Sequence, residues 1–145
     1  MPMTDADILA RTIVGEARGE GQNGMICVAN VVMNRTNIAK LYLAQKDKPH
    51  PLFGDGSPAS ACLAKWQFSC WNEGDPNKAI IEALGMDKAI FREAIDIAIK
   101  AVNGQLTDLT DGATHYKRIG TPAKWAEGQT PCHIEGHHEF FKGIK

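Results

Sequence analysis

Apolar positions recur with helical spacing through the first two thirds of the chain and lose that rhythm in the last third. Leu9, Ile13 and Glu16 stand at i, i+4 and i+7, which is one face of a helix advancing about 100° per residue. Thr4 and Asp5 are N-cap candidates, with Asp7 three residues after Thr4, so a first helix is expected over residues 5–17. Met25, Val28, Ala29 and Val32 repeat at i, i+3, i+4 and i+7, and Ile26, Cys27, Val31 and Met33 widen the stripe almost all the way round. That pattern predicts a second helix over about 24–36, ended by Asn34-Arg35 and central to the core. Residues 37–57, with Pro49, Pro51, Gly54 and Gly56, read as a loop with room for a short helical turn. Ser57-Pro58 and Asp75-Pro76 are cap-plus-proline starts. They predict a short helix over 58–65 and another reaching Leu84 before Gly85. A further helix over about 88–103 turns Ile90, Ala94, Ile97, Ala98 and Ala101 inward and Arg92, Glu93, Asp96 and Lys100 to water. Residues 105–145 are rich in Gly, Pro, His and Thr, and stretches 113–116 and 138–141 read as short strands or extended loops. The class this describes is α+β, predominantly helical, with a small irregular or β-containing C-terminal part.

Glu16 breaks its own stripe, putting a carboxylate where a Leu would be expected. Burial penalises the charged form and raises a carboxyl pKa. Gly15, Gly19, Gly21 and Gly24 crowd the same stretch and permit a sharp change of direction with backbone close by. A raised-pKa Glu at such a place suits a general acid. The competing reading is a Glu at a fraying helix end that reaches water.

The 145 residues, 43% hydrophobic and 23% charged, fit one domain over 1–145 that folds without metal or disulfide staples. A formal net charge of -1 gives no signature of nucleic-acid binding. The N-terminal Met-Pro-Met-Thr-Asp-Ala-Asp has neither a basic nor an apolar region of a signal peptide, and no apolar run reaches membrane-span length. The chain is therefore expected to be synthesised in the cytoplasm, with no membrane insertion. Cys27, Cys62, Cys70 and Cys132 form no C-x-x-C pair, and reduced thiols are the default, with a Cys62–Cys70 or Cys70–Cys132 bridge left open. Cys27 reads as core.

Residues 66–72, Trp66-Gln67-Phe68-Ser69-Cys70-Trp71-Asn72, pack two tryptophans and a Phe among polar groups. They read either as an aromatic plug of the core or as a sugar-binding wall, with rings stacking on pyranoses and Gln, Ser and Asn bonding hydroxyls and acetamides. Cys132, His133, His137 and His138, with His115, invite a metal reading. Position 134 is Ile, however, so H-E-x-x-H is absent, and no established zinc spacing appears. No metal and no cofactor is expected. The Gly-rich stretch lacks the G-K-[ST] of a phosphate loop.

The segment Ala10-Arg-Thr-Ile-Val-Gly-Glu16-Ala-Arg-Gly-Glu20-Gly, with Gly24 and Val28-Ala-Asn-Val-Val-Met-Asn34-Arg35, resembles the spore-cortex-lytic type of cell-wall hydrolase. Three later blocks agree in order and spacing: Gln67-Phe68-Ser69-Cys70-Trp71, Asp111-Gly112-Ala113-Thr114-His115-Tyr116, and Pro122-Ala-Lys-Trp125-Ala followed by Gly136-His137-His-Glu-Phe140-Phe141. The resemblance implies a lysozyme-like catalytic domain that cleaves peptidoglycan between N-acetylmuramic acid and N-acetylglucosamine. It makes Glu16 the single catalytic carboxylate of a lytic transglycosylase. It implies Tyr116 as the group holding Glu16 or the reacting sugar, and Gln67 and Ser69 as sugar ligands. Trp71 and Trp125 are implied for ring stacking, against core packing as the alternative. His115 is a weaker sugar-ligand candidate, His137 and Glu20 are secondary candidates, and Glu20 reads as structural or as a brace for Arg18 or Arg35. A hydrolytic muramidase is the first alternative; a metal amidase or peptidase using the tail histidines is the second, and a non-catalytic glycan-binding module the third. Lacking the family's usual export signal and wall-binding domain, the chain looks like a monomeric bacteriophage endolysin released through a holin.

Overall fold

Thr4 sits in an extended conformation and its Oγ1 accepts from the Asp7 N–H at 3.1 Å. That satisfies one of the orphan donors at a helix start, and α1 (Asp5–Ala17) begins there and ends where the pattern places it. A computed structural model describes residues 3–65 and 67–144; Trp66, the first member of the aromatic run, lies outside the described residues.

Helix α2 (Gly21–Lys46) is longer at both ends than expected. Asn34-Arg35 does not end it, and 37–46 is helix rather than loop. Those ten residues are mostly good helix formers, yet only Ala39 among them is buried. The hydrophobic period stops at about Thr36 because the helix leaves the core there, not because it ends. It closes at Asp47, whose N–H reaches Leu43 O at 2.9 Å. Helix α3 (Pro58–Leu63) starts in a reciprocal capping box between Ser57 and Ser60. Helix α4 (Pro76–Glu82) starts under Asp75, which accepts from Asn77 N–H at 2.8 Å. Its far end is closed from another helix, because Arg11 Nη1 donates to Ile81 O at 2.6 Å and Leu84 O at 2.9 Å. Helix α5 (Ala89–Val102) buries Phe91, Ala94, Ile97, Ala98 and Ala101, so Phe91 takes the first inward place while Ile90 is half-buried.

The tail forms an antiparallel sheet of β1 (His115–Arg118), β2 (His133–Glu135) and β3 (His138–Phe141), in the order β1-β3-β2. Tyr116 pairs with Phe140, and His133 with the same Phe140 from the other side. Strand β2 has no counterpart in the sequence pattern. It is three residues long, and only one of its side chains, that of Ile134, is strongly apolar.

Helix α1 packs against α2, α3, α4 and α5, and Leu9, Ile13, Val14, Val28, Val32, Phe68 and Ile81 fill the main core. Each such side chain stabilises the fold by roughly 1.5–3 kcal/mol on burial. A smaller cluster of Cys27, Val31, Ala113 and Phe140 joins α2 to the sheet. Polar residues of α2 stitch the tail down beside it. Asn30 bonds Thr107 O and Leu109 N, Asn34 bonds Ala113 O, and Arg35 Nε bonds Thr114 O at 2.7 Å. All four cysteines are free thiols. Among the described residues, no helix is long and apolar enough to cross a membrane.

Candidate active site

Glu16 stands one residue before the end of α1. The chain then reverses into α2 through Gly19 (φ 149) and Gly21 (φ 78), conformations that residues with a Cβ rarely adopt. Gly15 permits a close approach of a different kind. A Cβ there would meet Cys70 Cβ and Sγ, both at 2.9 Å, so only glycine lets the 3-10 turn Ser69–Trp71 lie against the end of α1. The result is a carboxyl enclosed by three elements. Tyr116 of β1 donates its phenol O–H to Glu16 Oε1, and the Cys70 thiol lies close enough to favour the charged form of the same carboxyl. Arg35 of α2 lies close enough to act on it electrostatically, as does Asp75.

Burial pushes the Glu16 carboxyl above its ordinary value of 4.5; Tyr116, Cys70 and Arg35 pull the other way without cancelling the rise. Burial and the adjacent Glu16 push the Tyr116 phenol well above 10, so it remains a donor. The Cys70 thiol is likewise pushed up by burial and by Glu16. Arg35 is held in a fixed place: Nε on Thr114 O, Nη1 on Gln67 Oε1 at 3.2 Å, and the guanidinium over the rings of Phe68 and Phe53 at 4.9 and 5.1 Å. A proton held on Glu16 can be given to a bound group, and the carboxylate left behind has the Tyr116 hydrogen bond, a nearby thiol and a nearby cation to stabilise it.

Glu16 opens into a cleft of about 330 Å³, lined also by Arg18, Glu20, Arg118, His137 and His138. Glu20 does not brace Arg18 or Arg35. Its carboxylate accepts from His137 N at 3.0 Å, meets His137 Nδ1 at 2.7 Å and lies 3.1 Å from His138 Nδ1. The bonds from His137 hold the Glu20 carboxyl below its ordinary value. Arg18 instead donates to Asn77 Oδ1. The tail bends onto Glu20 because β3 begins at His138, directly after the Gly136 turn.

The other residues singled out in the sequence are distributed around this cleft. Gln67 is half-buried and engaged by Arg35. Ser69 is exposed at the start of the 3-10 turn. The Trp71 indole N–H donates to Thr12 Oγ1 at 2.8 Å, while its ring lines a neighbouring cleft with Leu63, Ala64 and Phe68. His115 and Trp125 are not brought to Glu16. They face away from Tyr116 across the sheet, with ring centroids 5.0 Å apart, and line a separate cleft of about 550 Å³ with His50 and Phe53. Burial pushes His115 down to about 4. The tail histidines are not assembled as one metal set among the described residues: His137 and His138 converge on Glu20, and His133 turns to Glu135.

Sequence reasoning missed Cys70 and Arg35 as neighbours of Glu16. A signal for Arg35 was present. Val28, Val31, Val32, Arg35 and Ala39 continue one helical stripe, so Arg35 is a charge on a buried face just as Glu16 is. Ending the helix at Asn34-Arg35 hid it. Nothing in the spacing marks Cys70.

A family model described as Cell Wall Hydrolase matches residues 19–141, a stretch that begins three residues after Glu16. The fold is similar to that of the catalytic domain of the germination-specific lytic transglycosylase SleB from Bacillus anthracis. The TM-score is 0.67 at 21% identity, over 98% of this chain and 97% of that one. It is similar also to the catalytic domain of the SleB protein from Bacillus cereus, with a TM-score of 0.66 at 22% identity, over 95% and 89%. At these identities the likeness is one of fold: a mostly helical α+β domain with a small C-terminal antiparallel sheet. No curated protein matches the chain.

Proposed function

The chain belongs to the cell wall hydrolase family, and from that premise we propose that it cuts peptidoglycan glycan strands between N-acetylmuramic acid and N-acetylglucosamine as a lytic transglycosylase with Glu16 as its acid. The observation that carries this reading is the Glu16 carboxyl itself: half-buried, pushed up in pKa, held by Tyr116, and open to a cleft. The SleB domain of similar fold is described as a lytic transglycosylase, which fits a site built around one free carboxyl. The nearby acids are engaged elsewhere. Asp75 caps α4, and Glu20 is taken up by two histidines. Paired carboxylates flanking the bond are the usual glycosidase arrangement, and this site offers one.

In this reaction the Glu16 proton passes to the glycosidic oxygen as the muramic C1–O bond breaks. Positive charge at C1 is carried as oxocarbenium character or by the 2-acetamido group. The muramic C6 hydroxyl then bonds C1, closing a 1,6-anhydro ring, and its proton goes to the Glu16 carboxylate, which restores the acid. Tyr116 and Arg35 stabilise the carboxylate in the interval. Gln67 acts through Arg35, and Ser69 is the exposed group of the same wall available to a sugar. Trp71 offers a ring face in the next cleft.

A hydrolytic muramidase is the second reading, and one observation favours it: the cleft into which Glu16 opens is lined by the largely exposed His137, so water reaches the carboxyl. Mass spectrometry of muropeptides released from purified peptidoglycan separates the two. Anhydro-muramic ends are expected. Reducing muramic ends would make water the acceptor, and cut stem peptides on intact glycan would overturn both. Neither the family nor the fold bears on a phage setting or a holin.

A further inference from the structure

Strand β2 brings a second constellation together outside the Glu16 cleft. One ligand atom each from Cys27, His133 and Glu135 lies within 4.8 Å of the others. Cys27 is fully buried on α2. His133 and Glu135 are two apart on a strand and so share a face. Their side chains are each 27% exposed, leaving one side of the cluster open to water. His133 Nε2 and Glu135 Oε1 are 3.1 Å apart. Two ligand atoms about 2.0–2.1 Å from one tetrahedral zinc stand roughly 3.3 Å from each other. The nitrogen–oxygen edge of such a site is thus already near its bound spacing, and the sulfur has to close by about 1 Å.

We propose that Cys27, His133 and Glu135 form a binding site for a thiophilic divalent transition metal of the zinc class, with solvent as fourth ligand, clamping β2 onto α2. The donor set selects the class. A thiolate, an imidazole and a carboxylate suit zinc and its neighbours, whereas calcium and magnesium want oxygen alone. On binding, the Cys27 S–H bond breaks, its proton goes to solvent, and a sulfur–metal bond forms. The role is structural. Cys27 belongs to the small cluster that joins α2 to the sheet, and His133 pairs across the sheet with Phe140 of that cluster; the sugar cleavage does not pass through the three residues.

The test is metal uptake by the reduced, EDTA-stripped protein. Zinc is expected to bind at one ion per chain and, at about 100-fold excess over its Kd, to raise Tm by about 5 °C or more. Cobalt(II) is expected to give a sulfur-to-metal charge-transfer band in the near ultraviolet. Cys27→Ser removes that band. Glu135→Gln weakens binding tenfold or more, and so does His133→Ala, which alters a partly exposed position and is read even if the buried Cys27 variant folds poorly. Absence of uptake overturns the proposal. So does uptake that survives His133→Ala, which would place the ion at the Glu20–His137–His138 cluster instead.

Discussion

Glu16 is held in a state that water would not give it, and that has consequences of opposite sign for activity and stability. A free Glu ionises near 4.5, and Glu16 ionises above that. Between those two values the unfolded chain has released a proton that the folded chain still holds, so stability falls as pH rises through the window. Glu16→Gln removes that loss. Its activity on peptidoglycan should drop by about 10²–10⁴-fold, while its Tm near neutral pH equals or exceeds that of the wild type, with the gap closing below pH 4.5. Near-normal lysis by this variant would remove Glu16 from the mechanism. Tyr116→Phe deletes the O–H that favours the carboxylate. Turnover should fall about 10–100-fold if a charged hydrogen bond of this kind is lost at the transition state, and the alkaline limb of the rate profile should move to higher pH, since Glu16 then holds its proton more tightly. A Tyr116→Phe protein that is merely unfolded, with no shifted limb in the folded fraction, would make the residue structural. At this scale the sequence was partly legible. Glu16 announced itself by interrupting an apolar face. Arg35 did the same on α2, but the signal is readable only if the helix is carried past it. Tyr116, 100 residues from its partner, is beyond any local pattern.

Elements were the most legible level, because their ends are written in short-range chemistry. Thr4, Ser57 and Asp75 cap the helices that follow them, each through a bond to a backbone N–H two or three residues on. Helix α2 shows one limit of a periodic pattern: hydrophobic period reports burial, so a helix that runs on into solvent looks as if it has stopped. Strand β2 shows another, since three mixed residues have no period to read. The contact between α1 and the 3-10 turn is where element packing reaches the chemistry. Gly15→Ala would place a Cβ 2.9 Å from Cys70 Cβ and Sγ and 3.3 Å from Ile81 Cγ2. Overpacking of that degree costs about 1–3 kcal/mol, and relief requires the turn to move away from Glu16. The variant should therefore melt earlier and, at temperatures where circular dichroism shows it folded, also turn over more slowly. A folded variant with wild-type kcat would mean that the position of Cys70 does not matter to Glu16.

For the whole molecule, the α+β composition followed from where the helical rhythm ends, but the joining of tail to body did not. The ties span great sequence distances: Glu20 to His137 over 117 residues, Arg35 to Thr114 over 79. They place the two halves of the cleft, because Glu16, Arg18 and Glu20 come from the helical body while Arg118, His137 and His138 come from the tail, which also brings Tyr116 onto Glu16. Glu20 is the tie most easily cut without touching the core. Its side chain is 8% exposed and it holds two consecutive tail residues. Glu20→Ala should lower stability by about 1.5–3 kcal/mol, the range for hydrogen bonds to a charged group, and hydrogen exchange should show where: faster at 133–141 than in α1 and α5. Acid should mimic the substitution in the wild type. The Glu20 carboxyl lies below its ordinary value in the fold, so the tie is fully present above about pH 4.5 and is lost as pH falls through the lowered value. If exchange instead accelerates uniformly over helices and sheet, in the variant or in acid, the tail is no separable half of the cleft, and Glu20 serves the fold as a whole.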